Sequence, residues 1–234
     1  MTKLNFVLIL CCFLAGCVDD PQDHTKSETP ETEEGTVWGD GVVSENPPRL
    51  TDEDTDGNND SGEDATEEEE EDPAITYEDC SGRVGDHPCN FEFLDQNGDA
   101  WNLWEHTGTV MVVDFSTIWC GVCNSIAGDA QPYQDTYTGL GYDFLWVTVL
   151  VDGPTWGTPP IKSEIQKWVS SYGMTTSPVL LGDRTVIDTT AGSGIPIVSW
   201  PTLIIVDQDM RIAFGIGGWS ESMITSELES VLGL

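Results

Sequence analysis

The chain has 234 residues, enough for one large or two small domains, and a formal charge of −34 from 42 acidic against 8 basic side chains. The charge is uneven: residues 18–75 hold 22 acidic and 2 basic residues, and residues 76–234 hold 20 and 5. Neither part suits nucleic acid or an anionic lipid surface, and the first has too few large apolar residues to offset its chain entropy, so disorder is expected there.

Residues 1–17, MTKLNFVLILCCFLAGC, carry a Lys near the start and an apolar run from Phe6 to Leu14. That run is too short to span a bilayer and fits the hydrophobic region of an export signal. Leu14-Ala15-Gly16-Cys17 resembles the bacterial lipobox. The resemblance implies cleavage before Cys17, lipidation of its thiol, and a lipid-anchored protein outside the cytoplasm, in the bacterial cell envelope. An ordinary signal peptide cleaved elsewhere is the alternative. Residues 18–75 are then an acidic tether of 58 residues, with a root-mean-square reach of roughly 40 Å as a flexible coil. Inside it, Asp52 to Glu63 matches D-x-D-x-D-G with Glu at the twelfth position, a calcium-loop pattern. Pro47-Pro48 precede it and the acidic run Glu67 to Glu71 follows, where helices would be needed. A solvated tether is the plainer reading and weak calcium binding the alternative.

Residues 76–234 hold almost all the patterned sequence and are read as one domain. Cys80 and Cys89 bracket a Gly-containing turn and, outside the cytoplasm, most simply form a structural disulfide. Two alternatives stay open. One is a zinc site of Cys80, Cys89, Cys120 and Cys123, although the short x2 spacing occurs only once. The other is a second redox pair relaying electrons to the first. Phe91–Leu94 and Ala100–Leu103 flank Asn97-Gly98, a hairpin signal. The apolar, β-branched run from Val110 predicts a buried strand feeding a helix that starts at about Gly121, runs to Thr138 and stops at Gly139. Phe144 to Val151 is a second buried strand, and Asp152 to Pro160 a loop. Ile161 to Tyr172 is a helix with Ile161, Ile165 and Trp168 on one face. Thr202–Val206 and Ile212–Ile216 form an antiparallel pair turning at Asp207-Gln208-Asp209. Ser220 caps a last helix to Leu232, with Ile224, Leu228 and Val231 at helical spacing. Strands alternating with helices predict an α/β fold: a mixed sheet with helices on both faces.

Cys120-Gly121-Val122-Cys123 falls at the predicted strand-to-helix junction. Free N–H groups and the positive end of the helix dipole favour a thiolate there. Cys120 is therefore the candidate nucleophile and Cys123, one turn on, the resolving thiol. Asp114 lies between Val113 and Phe115. An unpaired carboxylate in such a strand has a raised pKa and can exchange a proton with Cys123; a strand-end Asp bonded to a backbone amide is the alternative. Pro201 is tolerated as the residue that opens a strand. No pattern places His87 or His106 near the thiols, so no metal is expected.

The segment VVDFSTIWCGVC resembles the active-site segment of the thioredoxin superfamily, and its surroundings look like the redoxin or TlpA-like branch, over roughly residues 87–232. The likeness rests on Asp114 six residues before the first Cys, Trp119 immediately before it, the Cys120/Cys123 pair, and Trp200-Pro201-Thr202 leading into an apolar strand. It implies a thioredoxin-like three-layer sandwich and a protein-disulfide oxidoreductase that uses its own dithiol and no cofactor. It also implies Asp114 as the proton carrier and a cis Trp200–Pro201 bond facing the cysteines. Trp119, Trp200, Pro201 and Thr202 would meet an extended substrate, with Trp219 a further candidate for an aromatic rim. The implied partners are thiols and disulfides of exported proteins and a membrane or periplasmic thiol that donates electrons. Asp114 favours the reducing direction. The sequence departs from the family in having no Lys beside Asp114, Val122 where Pro is common, and a bulky Trp before Pro201. The His of copper-delivery relatives and the Thr-x-x-Cys of peroxiredoxins are both missing. A non-catalytic binding module and a thiol-dependent peroxidase are the rival functions.

Overall fold

The structure, a computed structural model, describes Thr36–Val37 and residues 76–234. Cys17 with its leader, the rest of the acidic span and the Asp52–Glu63 pattern lie outside the described residues. In chain order the elements are β1 (Thr36–Val37), β2 (Glu92–Leu94), β3 (Ala100–Asn102), β4 (Val110–Thr117), α1 (Gly121–Ile126), α2 (Ala130–Gly139), β5 (Phe144–Asp152), α3 (Lys162–Tyr172), β6 (Val179–Leu181), β7 (Thr202–Val206), β8 (Ile212–Gly217) and α4 (Glu221–Leu232).

Every residue of β4 is buried. Such a continuous apolar strand needs cover on both faces and neighbours on both sides, and the sheet order β1-β8-β7-β4-β5-β6 supplies the neighbours. β4 pairs with β5 in parallel and with β7 antiparallel; β6 extends the parallel side and β8 the antiparallel side. Thr36 and Val37, within the span expected to be tether, pair with Gly217 and Ile216 on the outer edge of β8.

β4, β5 and β6 step across the sheet in one direction, so right-handed crossovers put α1, α2 and α3 on the same face. α4 joins them. Ile126, Ala130, Ile165, Trp168, Ile224 and Leu228 share one core with Val112, Trp146 and Ile205. The second face, formed by Met111, Val113, Phe115, Val147 and Ile204, is covered by the β2–β3 hairpin, Ile195, Ile197 and two 3-10 helices, Leu103–His106 and Arg184–Val186. The result is a three-layer α/β sandwich with a mixed central sheet, as expected, but helices do not cover both faces alike. The right-handed crossovers bring α1, α2 and α3 to one face, which α4 shares, and the other is covered by the hairpin, two short 3-10 helices and irregular segments. Among the described residues no helix is long and apolar enough to cross a membrane.

Local chemistry accounts for the turns. In the β2–β3 hairpin, Gly98 takes φ +101°, and the Asp95 carboxylate accepts the N–H groups of Asn97, Gly98 and Asp99. The helix expected over Gly121–Thr138 is instead two helices, α1 and α2. Pro132 explains the break: in the interior of a continuous helix it would remove one backbone hydrogen bond and collide with the preceding turn, whereas in the first turn of α2 it is tolerated. Gly128 sits at the junction, and Ala127 and Asp129 complete it. Ile161 is at the N-cap of α3 and exposed, not on the buried face with Ile165 and Trp168; the Glu164 side chain accepts its N–H. Ser220 occupies the N-cap of α4, but its hydroxyl makes no capping bond and lies beside that of Ser222.

Cys80 and Cys89 are joined in a disulfide. Its loop is pinned to the irregular face: Gly82 N–H donates to Ala191, Gly85 N–H to Ile212, and Ile212 N–H back to Asp86. With both sulfurs bonded to each other, they are not available to a four-cysteine zinc site.

Candidate active site

Cys120 is the N-cap of α1, in extended conformation (φ −81°, ψ 122°). Its Sγ accepts the N–H of Cys123 at 3.3 Å, and both thiols are free. The junction is held by Asn124, a residue the sequence did not single out. Asn124 Nδ2 donates to the carbonyls of Ile118 and Cys120, and its Oδ1 accepts from Tyr172 of α3. Cys120 is only 7 % exposed and Cys123 fully buried. The approach to Cys120 is flanked by Trp119, 39 % exposed, and Val122, 47 % exposed.

Asp114 follows from strand alternation. Even-numbered residues of β4 face the α-helical side, so Asp114 points into the core that contains Cys123. It is fully buried. Ser116, two residues on and therefore on the same face, donates its hydroxyl to Asp114 Oδ1 at 2.6 Å. Oδ2 has no partner among the described residues. Thr148 stands opposite in β5, its hydroxyl unbonded in this geometry. Burial pushes the Asp114 carboxyl up to about 7, with the Ser116 and Thr148 hydroxyls pulling the other way. Among the described residues no backbone amide bonds the Asp114 carboxyl, and the groups acting on it are the Ser116 and Thr148 hydroxyls. Burial likewise pushes the Cys123 thiol far above its ordinary value, and the charge of Asp114 adds to the shift. Each group makes the other's ionisation harder.

The Trp200–Pro201 peptide bond is cis. Thr202 lies opposite Phe115 of β4, which brings this segment to the same end of the sheet as the cysteines. Thr202 Oγ1 donates to the Ser199 carbonyl, and the Pro201 carbonyl accepts from Gly218 N–H at 2.7 Å. Among the described residues neither the N–H nor the carbonyl of Trp200 is hydrogen-bonded. The rings of Trp119 and Trp200 meet edge to face, 6.5 Å between centroids. Trp219, partly buried, packs edge to face against buried Trp146.

Asp152 and Arg184 were invisible in the sequence. The Asp152 side chain is wholly buried at the end of β5 and receives a two-pronged bond from Arg184, Nε to Oδ1 at 2.8 Å and Nη2 to Oδ2 at 2.6 Å. Trp119 Nε1 donates to the same Oδ2 at 3.2 Å. The Arg184 bonds hold the Asp152 carboxyl below its ordinary value against the opposing effect of burial. His87 and His106 sit away from the thiols, stacked on Tyr77 and Trp101 respectively. Among the described residues no three His, Cys, Asp or Glu side chains converge as a metal site.

Comparison with solved structures settles the architecture. A candidate thiol:disulfide interchange protein DsbE from Chlorobium tepidum superposes with a TM-score of 0.52 at 19 % identity, covering 64 % of this chain and 98 % of that one. This is a thioredoxin-like fold. A candidate protein disulfide isomerase from Bacteroides thetaiotaomicron matches the thioredoxin-like domain with a TM-score of 0.51 at 18 % identity, over 65 % of this chain and 92 % of that one. A secreted thiol-disulfide isomerase from Corynebacterium glutamicum gives 0.50 at 17 %, over 64 % and 86 %. The sequence itself matches no family model and no curated protein.

Proposed function

We propose that the thioredoxin-like domain is a thiol–disulfide oxidoreductase that reduces disulfides in exported polypeptides through the Cys120/Cys123 couple. The observation that carries this reading is the Asp114 carboxyl, buried in the same core as Cys123, with one oxygen unpaired and a pKa near neutrality. The Cys120 thiolate attacks one sulfur of the substrate disulfide, forming a mixed disulfide and releasing the other sulfur as a thiolate that takes a proton. Cys123 gives its proton to the Asp114 carboxylate and attacks Cys120 Sγ. The bond to the substrate breaks, the second substrate thiol leaves, and the Cys120–Cys123 disulfide remains. Two electrons have passed to the substrate, and an external dithiol donor returns them. Cys120 supplies the nucleophile, Cys123 the resolving thiol and Asp114 the proton acceptor. The unbonded backbone of Trp200, beside Pro201 and Thr202, offers a place for an extended substrate, and Trp119 flanks it.

The cell-envelope setting belongs to the same proposal. Cys17 carries the lipid, the residues before it are its leader, residues 18–75 apart from Thr36 and Val37 are the tether, and the Cys80–Cys89 disulfide is structural. Equilibrating the protein against a glutathione series, followed by thiol labelling, tests the function. A reversible two-electron couple is expected, lost in Cys120→Ser together with all disulfide reduction. If Cys120 and Cys123 form no reversible couple, the oxidoreductase reading is abandoned.

A further inference from the structure

Beside the dithiol lies an arrangement that the exchange chemistry does not use. The buried Asp152 side chain gathers three segments. Its Oδ2 accepts Trp119 Nε1, the backbone N–H of Gly157 at 3.0 Å and Arg184 Nη2, and its Oδ1 accepts Arg184 Nε. Its carbonyl accepts the N–H of Ile118 at 3.0 Å. The turn that carries Cys120, the loop after β5 and the Arg184–Val186 3-10 helix are therefore fastened to one carboxylate. On the far side of Arg184 its guanidinium lies 4.5 Å from the centre of the Trp156 ring, a stacking distance for a cation on an aromatic face. Trp156 is 69 % exposed. An indole left in water contributes little to the core, yet this one is held by a partly exposed guanidinium that is itself fixed by the buried Asp152 carboxylate. A rigid, exposed aromatic face has lost its conformational freedom in advance, which favours binding.

We propose that Asp152 and Arg184 are positioning residues that hold Trp119 and Trp156 as two walls of a substrate cleft beside Cys120. Trp156 selects polypeptide disulfides with an apolar side chain near the reacting cysteine and no acidic one. The proposal rests on the oxidoreductase reading and names the substrate class of that site. Two features fix the chemistry of the occupant. The exposed face of Trp156 offers apolar contact. The charge of Arg184 is already matched by Asp152, and residues 76–234 carry 20 acidic against 5 basic side chains. An acidic segment meets repulsion there and a neutral or basic one does not. A small-molecule disulfide can react at Cys120 without touching Trp156; an extended polypeptide, advancing about 3.3 Å per residue, reaches it a few residues from the cysteine.

The test uses the full chain in reduced form and measures kcat and KM separately on two substrates: a disulfide-bonded polypeptide with Phe a few residues from its cysteine, and 2-hydroxyethyl disulfide. The expected result for Trp156→Ala is a rise in KM for the polypeptide that lowers the ratio of the two kcat/KM values by about five- to tenfold, the usual scale of one aromatic contact. Trp156→Phe restores most of it, and replacing the substrate Phe by Asp reproduces the loss in the unaltered protein. Arg184→Gln moves the ratio in the same direction, and combining it with Trp156→Ala adds little. If Trp156→Ala leaves the ratio unchanged, or slows both substrates alike, the cleft is wrong and the dithiol chemistry stands. If the unaltered protein reduces neither disulfide, the oxidoreductase reading fails and the cleft fails with it.

Discussion

The two cysteine pairs of the domain occupy opposite faces of one sheet and differ in what surrounds them. Cys80 and Cys89 lie in a loop whose polar groups are engaged: Ser81 donates to Asp86, His87 Nδ1 meets the Met210 carbonyl at 2.8 Å and stacks on Tyr77, and backbone bonds tie the loop to Ala191 and Ile212. Cys120 and Cys123 lie above a carboxyl with one oxygen left unsatisfied. In the first environment none of the buried side-chain polar atoms is left without a partner among the described residues. The second holds a costly buried acid in the same core as Cys123, with one oxygen unpaired. On the proposed function, the difference between a staple and a reactive couple is thus a matter of which polar atoms the fold leaves over.

Asp114→Asn tests this contrast most strongly. The folded-state pKa of Asp114 is raised, so between about pH 4 and pH 7 the folded chain keeps a proton that the unfolded chain releases. Stability from this residue is greatest at low pH, falls as pH rises through that window and is flat above it; the full drop is about 4 kcal/mol. Asp114→Asn should remove that part of the slope in denaturant titrations run at several pH values. It should also slow resolution, so that mixed disulfide with substrate accumulates. A variant with the same stability slope as the native chain would sink the buried-acid account. Replacing both Cys80 and Cys89 by Ser should cost about 2.7 kcal/mol from the lost loop constraint, with the potential of the Cys120/Cys123 couple unmoved; a shifted potential would join the two faces that the comparison separates. The smallest effect is expected from Ser116→Ala. Losing one hydrogen bond to a carboxylate is worth roughly 1.5 kcal/mol, so the titration of Asp114 should move upward by about one unit, measurable in the pH profile of Cys123 alkylation. A downward move would mean that Ser116 does not stabilise the charged form.

The parts of this molecule written in consecutive residues were readable. Thr202–Val206 is an unbroken apolar run and forms β7 as expected, Asn97-Gly98 makes its turn, and a single carboxyl inside Val110–Phe115 marked Asp114 before any geometry was available. The break between α1 and α2 was written too, in Gly128 and Pro132, but the apolar spacing on either side masked it. β6 is three residues long, too short for a period to register, and the irregular cover of the second face has no period at all. The network round Asp152 could not be read, because Arg184 and Trp119 come to it from 32 and 33 residues away. The hydroxyl of Tyr172 likewise crosses 48 residues to reach Asn124. Long-range polar pairing leaves no local trace, and in this domain it is what frames the cysteines.

The short pairing of Thr36 and Val37 with β8 bears on how the sheet ends. A sheet edge offers a row of unsatisfied backbone groups to any passing strand, and proteins blunt such edges by shortening or covering them. Here the β6 edge is blunted by its three-residue length, while the longer β8 edge is partly covered by a segment from upstream in its own chain. The acidic span therefore contributes more than distance and charge: two of its residues act as a built-in guard against self-association of the sheet, and a chain trimmed to the domain alone would carry an open edge.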